Sequence, residues 1–107
     1  MKEELVLCGA GSKQEKYYFN PRYDRLPEAV KQELKSALVL FASEVGGTIL
    51  IVFTEEGDPQ IRLIREDDDI YYDDIEAGLA VSRLQKEKEV LFLQLKAFYL
   101  AFFGGAC

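Results

Sequence analysis

The sequence predicts an α+β domain with element order ββαββα: an antiparallel sheet of about four strands, one helix packed on it and a long C-terminal helix. Three observations carry this. An unbroken β-branched run, Ile49-Leu50-Ile51-Val52-Phe53, is followed after a turn by in-out alternation at Ile61, Arg62 and Leu63. Apolar residues at Val30, Leu34, Leu38, Phe41 and Val45 recur at the spacing of one helix face. A second, longer helical pattern occupies the last third of the chain.

The elements follow in order. Leu5-Val6-Leu7-Cys8 is a short apolar strand stopping at Gly9, and residues 9–15 are small and polar, as a loop requires. Lys16-Tyr17-Tyr18-Phe19 is rich in β-favouring aromatics, and Asn20-Pro21 ends it with a turn. The two runs are placed to pair as a hairpin. Pro27 and Glu28 open the first helix, because proline suits the first turn and a carboxylate there favours the dipole. Val39, Leu40 and Ala42 widen its apolar face, so its last turns are expected to be covered on more than one side. Gly46-Gly47 stops it. Thr48 to Thr54 reads as a central strand, Glu55 to Pro59 as a turn, and the alternating strand ends near Glu66. Asp73 and Glu76 have capping-box spacing, and a helix should run from Asp74 to about Phe103, stopped by Gly104-Gly105. Gly78 is the expected place for a break. No linker or internal repeat divides the 107 residues, which suits one domain.

Composition excludes more than it specifies. Nineteen acidic against 13 basic residues give a net charge of −6, which repels phosphate backbones and anionic lipid, so neither nucleic acid nor a membrane surface is an expected partner. There is no histidine, the commonest general base and zinc ligand. The two cysteines, Cys8 and Cys107, form no metal-ligand pattern, and Cys8 is read as a buried free thiol. The first residues lack the apolar core of a signal peptide, and no apolar run reaches the ~18 residues of a membrane span. The cytoplasm is the expected location.

The stretches Glu4 to Ala10, Lys16 to Asn20, Leu26-Pro27-Glu28, Val45-Gly46-Gly47 and Leu84 to Glu89 together resemble a family of short uncharacterised proteins of Gram-positive anaerobes of the Clostridia type, a domain of unknown function. The likeness spans nearly the whole chain. It implies a bacterial cytosolic protein and nothing about chemistry.

Candidate motifs resolve to structural readings. Gly9-Ala10-Gly11 lacks the third glycine of a dinucleotide loop and leads into a strand, where a phosphate site needs a helix N-terminus. Gly11-Ser12-Lys13 lacks Walker spacing. Seven carboxylates between Glu66 and Glu76 have the oxygen chemistry for Ca²⁺ or Mg²⁺, but no EF-hand spacing, so they are read as a solvated loop and a charged helix start. A glycosidase would need a cleft for which a chain of this length has little room. In Tyr17-Tyr18, and in Tyr71-Tyr72, the two rings should take opposite sides of a strand.

The C-terminal helix is the informative feature. Residues 90–103 are apolar nearly all round, broken by Gln94 and Lys96. Thirty helical residues span about 45 Å, more than the ~35 Å diameter of a domain this size. The overhanging end should seek a partner through Leu91, Leu95, Phe98, Tyr99 and Phe102. The alternative is a bend at Gly78, with the tail completing the chain's own core. No catalytic, cofactor-binding or metal residue is assigned. The reading favoured is a non-enzymatic interaction or regulatory module that partners itself as a homodimer and possibly another protein. The alternatives are a chaperone or adaptor, or a small divalent-ion-dependent enzyme or ligand binder using the Asp67–Glu76 cluster.

Overall fold

The computed structural model describes residues 5–11, 16–64 and 74–103. Strands β1 (Val6–Gly11) and β2 (Lys16–Phe19) precede a short 3-10 turn (Pro21–Tyr23) and helix α1 (Glu28–Val45). Strands β3 (Thr48–Phe53) and β4 (Pro59–Ile64) and helices α2 (Asp74–Glu87) and α3 (Glu89–Phe102) follow. The fold is α+β, with a four-stranded antiparallel sheet in the order β2-β1-β3-β4.

The sheet is one layer and the helices cover one of its faces. Cys8 and Ala10 pair with Ile51 and Ile49, which pair in turn with Ile61 and Leu63. This row joins Leu34, Leu38 and Phe41 of α1 and Leu91, Leu95 and Tyr99 of α3 in one core. The opposite face carries Tyr18, Gly9, Leu50 and Arg62 in register, and Tyr18 is exposed. The tyrosine pair therefore splits across the sheet as its spacing requires. A β-bulge shifts the register between Val6 and Cys8. Strict alternation would send Leu7 and Cys8 to opposite faces; the bulge lets both be fully buried.

Two expectations about boundaries change. β1 does not stop at Gly9 but runs to Gly11, because ladder bonds come from the backbone and need no side chain; Gly9 and Gly11 sit opposite Leu50 and Thr48. Val39 and Leu40 are exposed rather than covered, because α1 presents only the Leu34-Leu38-Phe41 side to the sheet. The turn after α1 is as read: Gly46 and Gly47 adopt φ of 91° and 71°, where a Cβ would clash, and the Gly46 amide bonds the Ala42 carbonyl at 2.9 Å.

The largest difference is in the C-terminal helix. It breaks at Lys88 and not at Gly78, which lies within α2 with open space around it. Lys88 has φ −110° and ψ 26°, outside helical geometry. The i→i−4 bonding is intact at Lys88 N–H to Leu84 C=O and again at Phe92 N–H to Lys88 C=O, both 2.9 Å, so the lapse is a local kink. Packing supplies the reason. Lys88 Nζ binds Glu33 of α1 at 3.1 Å, and beyond it α3 must stay on the sheet to bury Leu91, Leu95 and Tyr99. The Cα envelope measures 46 × 25 × 25 Å. The capping residue expected at Asp73, the tyrosines 71 and 72 and the stop at 104–105 lie outside the described residues.

Candidate functional site: the outer face of helix α3

α3 is apolar on two sides for different reasons. Its inner side is an anchor. Tyr99 stacks on Phe53 of β3 with centroids 4.7 Å apart, and Phe53 meets Tyr23 at 5.4 Å. Phe103 closes the group against Tyr23 and Tyr99 at 5.3 and 5.6 Å, with the Arg22 guanidinium 4.6 Å over its ring. The β3–β4 turn grips the Tyr99 ring. Gly57, at φ 91°, leaves no room for a Cβ, which would lie 2.8 Å from Tyr99 Cδ1. Next to it Asp58 holds Lys96 Nζ at 2.7 Å.

Of the five residues expected to meet a partner, Leu91, Leu95 and Tyr99 are therefore buried in the chain's own core. Phe98 is partly buried against that core and stacks on Phe102 at 4.6 Å. Phe102 is half exposed. The expected overhang is replaced by a helix that lies on its own sheet along one side.

The other side is bare. Val90 is 68% exposed, Leu93 61% and Leu100 41%; Ala97 is exposed between Leu93 and Leu100, and Ala101 just after them. Positions 90, 93, 97 and 100 follow the 3-4-3 spacing of one helical stripe. That spacing was available in the sequence. It was hidden because the inner stripe is just as apolar and has larger side chains. Lys96, the one charged residue of α3 after Glu89, turns aside to Asp58 and leaves the stripe uncharged.

Other candidates are weaker. A groove of about 520 Å³ between α1 and α2 has Ala37, Leu40, Phe41 and Leu84 in its lining and Glu44, Arg83 and Glu87 among its charged residues. Cys8 is buried and free, and burial pushes its thiol up to about 12 despite the neighbouring Tyr17 hydroxyl. Burial and the adjacent thiol raise the Tyr17 phenol as well. The two perturb each other's ionisation, yet the buried Tyr17 hydroxyl has no aligned hydrogen bond, since a thiol is a weak partner. Asp74 and Glu76 are exposed at the start of α2; the rest of the acidic cluster lies outside the described residues. Among the described residues no group of three His, Cys, Asp or Glu side chains is placed to hold a metal ion, and no helix is long and apolar enough to cross a membrane.

The arrangement defines a small α+β domain with helices on one face of an antiparallel sheet. Residues 4–106 match a family of unknown function, DUF6145, and the chain belongs to that family. No curated protein and no solved structure matches the chain.

Proposed function

We propose that this chain is a non-enzymatic protein-interaction or regulatory module of a Gram-positive anaerobe, acting in the cytoplasm as a homodimer. One observation carries the reading: the outer stripe of α3 exposes Val90, Leu93, Ala97 and Leu100 with no charge among them. Scattered apolar residues are normal on a surface, but a contiguous uncharged stripe marks a contact. Depletion of charge at the centre of a patch is also what distinguishes interfaces in composition. The test is static light scattering across a concentration series. Wild type should rise from the 12.2 kDa of one chain toward twice that mass at high micromolar concentration. Leu93→Asp should remain at one chain's mass with an unchanged far-UV spectrum. A wild type that stays monodisperse at one chain's mass throughout the series refutes the reading.

The groove between α1 and α2 favours a second reading, an adaptor that holds a segment of another protein. Its lining mixes apolar Ala37, Leu40, Phe41 and Leu84 with charged Glu44, Arg83 and Glu87, a combination that suits an amphipathic peptide. Copurification partners that survive Leu93→Asp but are lost with Leu40→Glu would support it.

A further inference from the structure

We infer that the groove between α1 and α2 takes a basic amphipathic helix of another protein. This rests on the adaptor reading given above and names the partner's conformation and charge. Glu33 of α1 is tied to Lys88, where α2 ends, so the two helices run antiparallel. The groove runs between them, with Ser36 and Glu44 of α1 and Glu76 and Glu87 of α2 in its lining. Its volume of about 520 Å³ lies within the range of ligand sites, about 300–1,000 Å³.

The walls select a helix. Both are helical, and their backbone N–H and C=O groups pair along their own axes. An extended segment laid there finds no ladder and leaves its own backbone unpaired, whereas a helix brings its backbone bonds with it. Ala37 on one wall and Ala80 on the other are small, which lets a third helix axis approach closely. Leu40 of the lining is 58% exposed, an apolar surface that the chain's own core does not use. The apolar stripe of an incoming helix covers it.

Charge selects the sign. The lining carries Glu44, Glu76 and Glu87 against Arg83 and Lys88. Lys88 Nζ sits 3.1 Å from Glu33, which lies outside the lining, so its charge is matched from there. Glu44 and Glu87 alone then outnumber Arg83. Glu44 also stands in the last turn of α1, which holds no basic residue, so its carboxylate adds to the negative end of the helix dipole. A second copy of this chain, at −6, is repelled, as is any acidic segment, while a segment rich in Lys and Arg is drawn in. Arg83 fixes the register, because the partner must place an acidic or neutral residue against it.

Two synthetic helical peptides test this against the full chain. Each has 14 residues, the length of α2, and the same stripe of Leu and Ala; one carries Lys and the other Glu at the remaining positions. Fluorescence anisotropy of the labelled peptides reads binding at about 150 mM NaCl, where distant surface charges are screened. The Lys peptide should bind about tenfold or more tightly than the Glu peptide. Leu40→Ser, which removes apolar surface without changing charge, should weaken it about tenfold. Glu44→Lys/Glu87→Lys should reverse the preference, each variant keeping the wild-type far-UV spectrum. If both peptides bind equally and both are lost with Leu40→Ser, the groove takes a helix without regard to charge; the inference is overturned and the adaptor reading stands. If the Lys peptide binds wild type and Leu40→Ser alike, it is held by the acidic surface at large and the inference fails. If neither peptide binds, the adaptor reading fails with it.

Discussion

Leu93 and Leu95 are two residues apart on one helix, and truncating each to alanine should have opposite consequences. Leu95 is 0% exposed and belongs to the core that joins α1, α3 and the sheet. Removing its side chain deletes buried methyl groups and leaves a cavity, which costs about 2–5 kcal/mol for Leu→Ala. A domain of this kind is stable by only about 5–15 kcal/mol, so Leu95→Ala removes a large share. Leu93 is 61% exposed, and the little packing it loses is offset by the higher helix propensity of alanine. Its change in monomer stability should stay within about 0.5 kcal/mol. Urea unfolding followed by far-UV circular dichroism at low micromolar concentration, where monomer dominates, measures both. Leu95→Ala should lower the midpoint with little change in slope, and Leu93→Ala should leave it in place. Light scattering at high concentration should reverse the ranking for assembly, with Leu93→Ala the variant that fails to dimerise. Equal losses of stability at the two positions would mean that α3 is not oriented with Leu95 inward, and both the fold of the C-terminal helix and the assembly reading would fall together.

Two further outcomes follow from the buried polar groups. The Cys8 thiol is raised from 9.0 to about 12, so its stabilising contribution is complete below pH 9 and is lost between pH 9 and 12, where the unfolded chain releases a proton that the folded chain keeps; the raised Tyr17 phenol acts in the same sense. The urea midpoint should therefore fall steadily above pH 9, and Cys8→Ala should shrink that fall, whereas an alkaline slope unaffected by Cys8→Ala would assign it to other groups. Asn20 caps the 3-10 turn by accepting from Arg22 N–H at 3.0 Å and donates to the Val6 carbonyl at 2.8 Å, so Asn20→Ala should destabilise by about 1–3 kcal/mol in the same assay, and a loss under about 0.3 kcal/mol would show that water replaces both bonds.

How far the sequence could be read depended on whether a residue's type implies its surroundings. The β3–β4 hairpin was legible because period-2 alternation at Ile61, Arg62 and Leu63 describes a strand with one wet face, and β4 is that strand. α1 was legible from Val30 to Val45 because Leu34, Leu38 and Phe41 recur at the spacing of one face, but its polar residues lapse from Ala37 to Ala42, which hid that Val39 and Leu40 are exposed. The bulge at Leu7 was not, since it depends on the register against β3 and no local residue marks it. Nor was the kink. Gly78 is the weakest helix former in its segment, yet intrinsic propensity is worth only about 1 kcal/mol there. The pull of the Leu91, Leu95 and Tyr99 contacts on the sheet exceeds that, so the helix bends where packing demands, at a lysine.

The site shows the same limit in sharper form. In α3 an observer who knows only residue types sees apolar side chains around the whole circumference and expects more than one surface to be covered; the fold covers one and leaves Val90, Leu93 and Leu100 exposed. Assigning the surfaces is another matter. Leu91, Leu95, Phe98, Tyr99 and Phe102 are the larger side chains, and size suggests the more avid contact; but the largest groups are also those that an antiparallel sheet with Phe53 and Tyr23 at its end can best accommodate. The intramolecular core takes them because it forms without losing translational freedom, whereas association of two chains must first overcome about 4–15 kcal/mol of lost rotation and translation. What remains for a partner is the smaller stripe, Val90, Leu93, Ala97 and Leu100. Under the proposed reading the same ordering would make the contact weak: a stronger stripe would have been drawn into the fold, and one left outside would associate only when copies are abundant.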